Sequence, residues 1–416
     1  MPNSANTRDN IRDLFEPPGR PDRPLPAARP LRIVLTVNAA WNVWNFRRPL
    51  IAGLLHDGHE VVVLAPVDAT TQLLAAMGCR MIDLPMDLKG LNPFRDLALI
   101  IRLRRAFKAI RPDLIFSYTI KNNIYGALAA RLARIPLIPN VTGLGTAFIS
   151  RDTLQAFVQG LYRFAFAKVP VVLFQNQDDL DLFVERRLVR LGQTRLVAGS
   201  GIDLKRFAPD ESQSTPGGTV FLMIARLLKD KGVREFAEAA RIVRRGRPDV
   251  RFQLLGAAGA ANRSAIDLEA VEAWHAAGEI EYLGTSEDVR AQIAQASCVV
   301  LPSYREGAPR TLIEAAAMGR PLIATDVPGC RDVVDDELTG FLCEPRSAAS
   351  LAKTCLRFLQ LSLPDREAMG RAGRAKMERE YDAALVTQIY REVLSGAVCR
   401  GSPDLRAPSP AREQSQ

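Results

Sequence analysis

The stretch SCVVLPSYREGAPRTLIEAAAMGRPLIATD, residues 297–326, contains two short apolar runs separated by a helical segment. The runs 297–302 and 321–326 are typical of strands buried on both faces. Between them, Pro309 suits the first turn of a helix, good helix formers follow, and Gly319 ends the run. Two buried strands joined by one helix predict a parallel pair with a helical crossover.

The same alternation of apolar runs and helical segments extends through the chain and breaks once, at a polar, Gly- and Pro-rich segment near residue 200. We predict an α/β protein with two Rossmann-like parallel-sheet domains, 31–200 and 218–380, joined by a linker at 201–217 and flanked by disordered tails at 1–30 and 397–416. Such domains would face each other across a cleft, where ligands bind at the carboxyl ends of strands. The other predicted strands are 31–38, 60–66, 79–85, 113–119, 136–142, 171–176, 220–226, 250–256 and 280–284.

The composition is that of an ordinary globular protein, since 47% of the 416 residues are hydrophobic and 24% are charged. The six cysteines form no CxxC pair, which argues against a zinc site and for a reducing compartment. The sequence has neither a signal-peptide run nor about 18 uninterrupted apolar residues. We therefore expect a cytoplasmic protein.

The net charge of +9 is the strongest compositional bias, and basic residues crowd segments 101–113 and 185–195. Nucleic acid, an anionic membrane surface or a phosphorylated substrate would each explain this charge, as would solvated helix faces without a partner. Because the sequence has no aromatic-basic RNA motif and no helix-turn-helix pattern, we expect no nucleic-acid partner.

Two carboxylates, Glu306 and Glu314, stand on either side of the helix start predicted in the first stretch. The N–H groups of Arg310, Thr311 and Leu312 would point out of the helix N-terminus, which favours an anion by about 0.3–1 kcal/mol. Carboxylates repel a bare phosphate but accept hydrogen bonds from sugar hydroxyls. The stretch predicts a site for a sugar bearing a phosphate; the alternative is two glutamates without a joint role.

Two cations lie where the strand 220–226 meets the next helix. Arg226 ends the strand, and Lys231 follows after a short turn. This geometry suits a diphosphate, although basic residues flank many such turns. Together with a helix dipole, the two cations could replace a magnesium ion in neutralising a departing diphosphate.

An Asp-x-Asp pair, Asp179 and Asp181, could suggest a metal-bound nucleotide sugar. Acidic residues are equally ordinary in the first turn of a helix, where Asn176 or Asp178 would act as the cap. We prefer this second interpretation and predict no metal site.

The turn predicted after the first strand lacks the GxGxxG of dinucleotide sites and is rich in Asn and Trp. Asn38, Trp41 and Asn45 would give a sugar directed hydrogen bonds and flat apolar contact; a merely packed turn is the alternative. Gly143 and Gly145 follow another strand end and would let the backbone approach a ligand closely.

Two predicted helices, 95–110 and 152–168, mix apolar residues with basic or aromatic ones. One of them could lie on an anionic bilayer. Ordinary core-facing helices explain the same pattern.

These residues carry a resemblance to a known family. The segment REGAPRTLIEAAAMGRPLIATDVPGCRDVV resembles the nucleotide-sugar site of family-4 glycosyltransferases of the GT-B fold, whose Glu-x7-Glu pair matches Glu306 and Glu314. IARLLKDKG is similar to that family's basic diphosphate motif, which matches Arg226 and Lys231. In the first half, WNVWNFR, FSYTIKNNIYG, NVTGLG and GSGIDLKRF resemble the subgroup that adds hexose or N-acetylhexosamine to polyprenyl-diphosphate-linked sugars for surface polysaccharides or glycoprotein oligosaccharides.

The resemblance implies an acceptor domain, then a nucleotide-sugar domain, and a helix at 381–396 that crosses back to the first domain. It implies retaining transfer from a UDP-sugar, without a cofactor or required metal, at the cytoplasmic face of the inner membrane. A GT-B enzyme with a soluble acceptor is the alternative.

The resemblance also assigns roles in the donor site. Arg226, Lys231 and the amides around Leu312 would stabilise the leaving diphosphate, Glu314 would hold the ribose hydroxyls and Glu306 the donor sugar. The remaining predicted contacts to the nucleotide sugar come from Gly307, Arg310 and Thr311.

The chain departs from the family at one position. Many members have a His in an HTPK-like stretch near the donor sugar, where YTIK here places Tyr118. Either Tyr118 or Lys121 takes over contacts there, or the His role is dispensable in this branch.

Overall fold

The computed structural model describes residues 29–87, 92–144, 153–209, 218–258 and 264–401. They fold into two compact units. The first contains the chain up to Phe174, then Phe183–Arg195 and Thr387 onward; the second contains Gln175–Leu182 and Leu196–Val386. Most of both predicted tails and residues 210–217 of the predicted linker lie outside the described part.

The first unit is built on a sheet whose strands lie in the order β3-β2-β1-β4-β5-β6-β7. The pairings from β3 through β6 are parallel. The strand order changes direction between β1 and β4, and ligands of such sheets bind beside the carboxyl ends of the strands at this point. The strands are β1 (Arg32–Thr36), β2 (Glu60–Ala65), β3 (Arg80–Asp83), β4 (Leu114–Tyr118), β5 (Leu137–Val141), β6 (Val172–Phe174) and β7 (Thr194–Leu196).

Helices connect these strands. They are α1 (Ala40–His56), α2 (Thr71–Ala76), α3 (Pro93–Ile110), α4 (Ile120–Ala133), α5 (Thr153–Phe166) and α6 (Gln177–Glu185), with a 3-10 turn at Leu191–Gln193. The start of α3 illustrates the local signals: the Asn92 side chain accepts hydrogen bonds from the N–H groups of Phe94 and Arg95, and Pro93 occupies the first turn.

The second unit repeats this plan with the strand order β10-β9-β8-β11-β12-β13, all paired in parallel. Its direction changes between β8 and β11. The strands are β8 (Val220–Ile224), β9 (Arg251–Leu255), β10 (Glu281–Tyr282), β11 (Cys298–Leu301), β12 (Leu322–Thr325) and β13 (Gly340–Cys343).

The helices of the second unit cover its sheet. They are α7 (Val233–Arg244), α8 (Leu268–Ala276), α9 (Arg290–Gln295), α10 (Arg310–Ala317), α11 (Cys330–Val333), α12 (Ala348–Leu359) and α13 (Leu363–Lys376), with a 3-10 turn at Lys229–Lys231 and a π-helical turn at Met377–Tyr381. Helix α7 buries Val233, Phe236, Ala240 and Val243, the spacing of one helical face. Ile202 and Phe207, within the predicted linker 201–217, are buried in the core of this unit.

The last helix, α14 (Ala383–Gly401), returns to the first unit from Thr387 onward, as the predicted fold requires. There the guanidinium of Arg391 donates two hydrogen bonds, of 2.6 and 2.8 Å, to the Asp57 carboxylate. The hydroxyl of Tyr390 accepts a 2.7 Å bond from the Asn140 amide.

Three details of the sequence-based prediction are wrong. The residues predicted as a turn after β1 belong to α1 from Ala40 onward; Pro49 lies inside this helix, although proline by itself favours a turn. The strand predicted at 79–85 is not buried on both faces, because β3 lies at the sheet edge with Arg80 and Asp83 exposed. Strands β7 and β13 were not predicted.

Candidate active site

In the second unit, the donor-site candidates lie after the two strands at which the strand order reverses. Arg226 follows β8 and Lys231 ends the 3-10 turn behind it, while Glu306 lies in the loop after β11. Because β8 and β11 pair directly, the loops that follow them leave the same edge of the sheet side by side. The topology therefore brings together Lys231 and Glu306, which are far apart in sequence, while Arg226 is exposed at the same edge.

Lys231 and Glu306 form an ion pair, with Nζ 2.5 Å from Oε1. The hydroxyl of Ser303 donates to the same oxygen at 2.6 Å. Both charged side chains are largely buried, with 19% and 12% of their surface exposed. The ion pair fixes both side chains in place. That Lys231 contacts a diphosphate and Glu306 a donor sugar stays a prediction.

A second ion pair lies on α10, where Arg310 Nε donates to Glu314 Oε1 at 2.6 Å. Burial raises the pKa of the Glu314 carboxyl above its usual value, although the charge of Arg310 opposes the shift. Thr311 donates its hydroxyl hydrogen bond to the Ile224 carbonyl at 3.0 Å, which ties the helix to the carboxyl end of β8.

The amides at the start of α10 differ from the prediction in one respect. Pro309 immediately precedes the helix and its carbonyl accepts a 3.0 Å hydrogen bond from the Leu312 N–H. The expectation of an unpaired amide at Leu312 is therefore wrong, because the first turn closes on itself. Gly319 follows the helix end with φ 70°, as its predicted role as a terminator requires.

The turn that carries Lys231 depends on glycine. Gly232 has φ 75°, and a Cβ there would lie 2.0 Å from the carbonyl oxygen of Pro302. Any other residue would push the β8 and β11 loops apart. The close approach of Lys231 to the loop of Glu306 thus has a backbone cause.

In the first unit, the Asn and Trp candidates lie in or just before α1. Trp41 is 54% exposed and packs edge-on against Phe46, with 5.7 Å between ring centroids. Asn45 donates its amide hydrogen bond to the carbonyl of Trp41 at 2.9 Å, one helical turn back. Asn38, between β1 and α1, is half-buried. Of the three, Trp41 presents the most open surface.

The residue that stands where many family members have a His is buried. Tyr118 is 1% exposed, and the Arg47 guanidinium lies over its ring at 4.3 Å. Burial raises the pKa of the Tyr118 hydroxyl well above its usual range. The expectation that Tyr118 offers contacts in place of the His is therefore unsupported by its position.

Lys121 has a partner that the sequence did not indicate. Its Nζ lies 3.0 Å from Asp96 Oδ1, and Asp96 also accepts a 2.9 Å hydrogen bond from the Tyr125 hydroxyl. Between Tyr118 and Lys121, Thr119 has φ 71° and ψ 151°, a conformation that is strained for a β-branched residue. Gly143 has φ 136°, whereas Gly145 lies outside the described residues.

The Asp-x-Asp pair is part of a capped helix start, as predicted. The Asp179 N–H donates to Asn176 Oδ1 at 2.7 Å, and Asp181 accepts a 2.7 Å bond from the Gln177 amide. Within the described residues, no group of three or more His, Cys, Asp or Glu side chains is arranged to hold a metal ion. Transfer without a metal stays a prediction.

The described helices include none that is long and apolar enough to cross a membrane.

Comparison with known proteins places both units in glycosyltransferase families. Residues 32–176 match the glycosyl transferase 4-like family, and residues 218–361 match the group 1 glycosyl transferases. The chain is 28% identical, over 86% of its length and 97% of the relative's, to the N,N'-diacetylbacillosaminyl-diphospho-undecaprenol alpha-1,3-N-acetylgalactosaminyltransferase of Campylobacter jejuni. It is 25% identical to the UDP-Gal:alpha-D-GlcNAc-diphosphoundecaprenol alpha-1,3-galactosyltransferase of Escherichia coli, over 65% of the chain and 72% of that enzyme.

The fold matches solved glycosyltransferase structures. The structure of Anabaena HepE in complex with UDP and glucose aligns with a TM-score of 0.73 and 19% identity, over 88% of this chain and 99% of HepE. The predicted GT-B fold is confirmed. The chain belongs to the glycosyltransferases, with a 4-like domain followed by a group 1 domain.

Proposed function

We propose that the protein transfers a hexose or N-acetylhexosamine from a UDP-sugar to a polyprenyl-diphosphate-linked saccharide, with retention of configuration and without a required metal. One observation carries the donor half of this proposal: the Lys231–Glu306 pair at the carboxyl ends of β8 and β11. The acceptor class is supported by the two relatives whose names specify diphospho-undecaprenol substrates.

The donor site would act mainly on the leaving group. Arg226 and Lys231, with the dipole of α10, would stabilise the negative charge that develops on the departing diphosphate. A diphosphate oxygen would take the acceptor's proton on the face from which the diphosphate leaves. That geometry delivers the acceptor on the same face and retains the configuration of the sugar.

The ion pairs have a role in this scheme. A diphosphate next to Lys231 would share its ammonium group with Glu306, whose second carboxylate oxygen could accept a sugar hydroxyl. Glu314, held by Arg310, would accept the ribose hydroxyls. Gly307 lies next to Glu306 in the loop and Thr311 lies in the first turn of α10, where both would contact the nucleotide sugar. The four members of these two ion pairs are thus held in place before the substrate arrives.

The acceptor would bind the first unit. Trp41 and Asn38 would supply apolar and polar contact to the saccharide, and Lys121, held by Asp96, would lie near the donor sugar in place of the family's His. The strained Thr119 beside Lys121 is consistent with such a role, since strain of this kind clusters at functional sites. Gly143, which follows β5, would border the same strand ends.

The first unit would lie on the cytoplasmic face of an anionic membrane through one helix. Helix α3 exposes Phe94, Leu97 and Ile101, which are 85%, 56% and 43% accessible and lie on one face at helical spacing. Arg102 and Arg105 are exposed on the same helix. Apolar groups beside guanidinium groups fit the boundary between headgroups and acyl chains.

The test is a transfer assay with a panel of nucleotide sugars, each offered a polyprenyl-diphosphate-linked saccharide and the same saccharide free in solution. We expect turnover with a UDP-sugar and the lipid-linked acceptor, undiminished by EDTA, and an α-linked product by NMR from an α-linked donor. Equal turnover with the free saccharide would refute the acceptor assignment. An inverted anomeric configuration would refute the retaining mechanism.

A further inference from the structure

The first turn of α6 is buried more completely than a helix cap requires. Asn176 is 1% exposed and Asp179 is 0% exposed. Both lie in Gln175–Leu182, the short segment that belongs to the second unit although the chain before and after it belongs to the first. The cap itself uses the Asn176 side-chain oxygen, and within the turn the Asn176 amide also donates a 3.1 Å hydrogen bond to Asp179 Oδ2.

The same turn also contacts the loop that carries Glu306. The Asn176 amide donates a 2.9 Å hydrogen bond to the carbonyl of Gly307. Arg305 donates from Nη2 to Asp179 Oδ1. The two contacts fall on the residues immediately before and after Glu306: one holds the side chain of Arg305 and the other the backbone carbonyl of Gly307.

The same loop is held from a second direction. The Glu306 N–H donates to the Pro328 carbonyl at 3.2 Å. Gly329 lies so close that a Cβ there would be 2.6 Å from the Gly307 oxygen and 2.7 Å from the Glu306 oxygen. The loop backbone therefore lies between the start of α6 and the start of α11.

Burying Asp179 is unfavourable by itself. Burial raises the pKa of its carboxyl, and the facing Arg305 and Asn176 only partly offset that effect. Removing one partner of a buried pair leaves an uncompensated charge, which is why such pairs hold a geometry firmly. The adjacent Asp178 shows the ordinary alternative: it pairs with Arg331 at 3.3 Å with 36% of its side chain exposed.

We infer that Asn176 and Asp179 are positioning residues for the donor site. They hold the Arg305 side chain and the Gly307 backbone carbonyl so that the Glu306 carboxylate stays against Lys231 and faces the donor sugar. This inference rests on the proposed function, because it assigns the positioned carboxylate to the sugar of the nucleotide sugar.

The experiment compares two variants with a matched control. Asn176→Ser keeps an oxygen that can cap α6 but removes the amide NH2 group that donates to the Gly307 carbonyl, and Asp179→Asn removes the charge that faces Arg305. Asp178→Asn removes the same charge one residue away, at the exposed Arg331 pair. For each protein, kcat and KM for the UDP-sugar that supports turnover are measured with its thermal midpoint, and UDP binding is measured by calorimetry.

We expect Asn176→Ser and Asp179→Asn to lower kcat/KM for the UDP-sugar by about 10–100-fold, as small misplacements of a reacting group do. UDP lacks the sugar, so its affinity for both variants should stay within about threefold of the wild-type value. For the Asp178→Asn control, both kcat/KM and UDP affinity should stay within about threefold of the wild-type values. If Asp179→Asn does not fold, the kcat/KM and UDP affinity of Asn176→Ser alone test the positioning role.

The inference is overturned if kcat/KM of the folded variants equals that of Asp178→Asn while only the thermal midpoint falls. It is also overturned if UDP affinity falls in parallel with kcat/KM, because the effect would then be general to the site. An inactive wild type refutes the proposed transfer; an active wild type with unaffected variants refutes only the positioning role.

Discussion

Lys231 Nζ lies 2.5 Å from Glu306 Oε1, although the two residues are 75 positions apart in the chain. The contact exists because β8 and β11, which are not consecutive strands, pair at the centre of the sheet. It joins the two sequence motifs that separately predicted a diphosphate site and a sugar site.

Replacing Glu306 by Gln should separate sugar recognition from nucleotide binding. The amide cannot neutralise Lys231, so the ammonium group stays available to a diphosphate while the carboxylate acceptor for sugar hydroxyls is lost. We expect UDP affinity within about threefold of the wild type and kcat/KM for the UDP-sugar lower by about 10²–10³. A parallel loss of UDP affinity in calorimetry would contradict this assignment.

Replacing Arg226 by Ala should abolish micromolar UDP binding, because Arg226 is expected to contact the diphosphate directly. Lys229→Ala is the matched control: Lys229 is an exposed cation of the same turn, and its backbone N–H already donates to Ser264 at 2.7 Å. Calorimetry should show wild-type UDP affinity for Lys229→Ala and no micromolar binding for Arg226→Ala. Equal affinities of the two variants would overturn the diphosphate assignment.

Acidification should weaken UDP binding through Glu314. Burial raises the pKa of this carboxyl, so it takes up a proton at a higher pH than an exposed glutamate. The pKa of this carboxyl is higher in the folded than in the unfolded protein. Its contribution to folding stability is therefore most favourable at a pH below the unfolded-state pKa, and it diminishes as the pH rises through the folded-state pKa. Binding should follow the opposite trend, since ribose hydroxyls need the ionised acceptor. A titration of UDP affinity against pH should flatten in Glu314→Gln; an unchanged profile would exclude this carboxyl.

Gly232→Ala should destabilise the second unit. The substitution forces a side chain into a left-handed conformation and against the Pro302 carbonyl, at a cost of at least about 1–3 kcal/mol. Gly246→Ala is the control, because a Cβ there meets nothing within 4 Å. Urea unfolding followed by circular dichroism compares the two. Equal midpoints would show that the turn relaxes at little cost.

Removing the apolar face of α3 should weaken membrane binding without unfolding the protein. Phe94→Ser combined with Leu97→Ser changes two exposed side chains, so stability should change little. Co-sedimentation with phosphatidylglycerol vesicles should fall several-fold, and wild-type binding should weaken between about 0.1 and 0.5 M salt. Leu363→Ser, which alters a side chain 69% exposed on the second unit, should bind like the wild type. Equal sedimentation of all three proteins would place the membrane surface elsewhere.

The sequence by itself determined the α/β class, the two parallel sheets and the motifs around Arg226 and Glu306, because strand periodicity, helix ends and short motifs are local properties of the chain. Local signals failed at Pro49, where tertiary packing maintains a helix that proline disfavours. They also failed at β3, where Met81 and Ile82 suggested a strand buried on both faces although it lies at the sheet edge with its two charged residues exposed.

Only the tertiary structure decided which charged groups meet. Lys121 pairs with Asp96 across 25 positions, and Arg305 pairs with Asp179 across 126. Such pairs depend on strand order and on which loops leave the same sheet edge, and neither is encoded within a short window of residues. The physical reason is that an ion pair needs proximity in space, which the folded topology creates and the spacing along the chain does not.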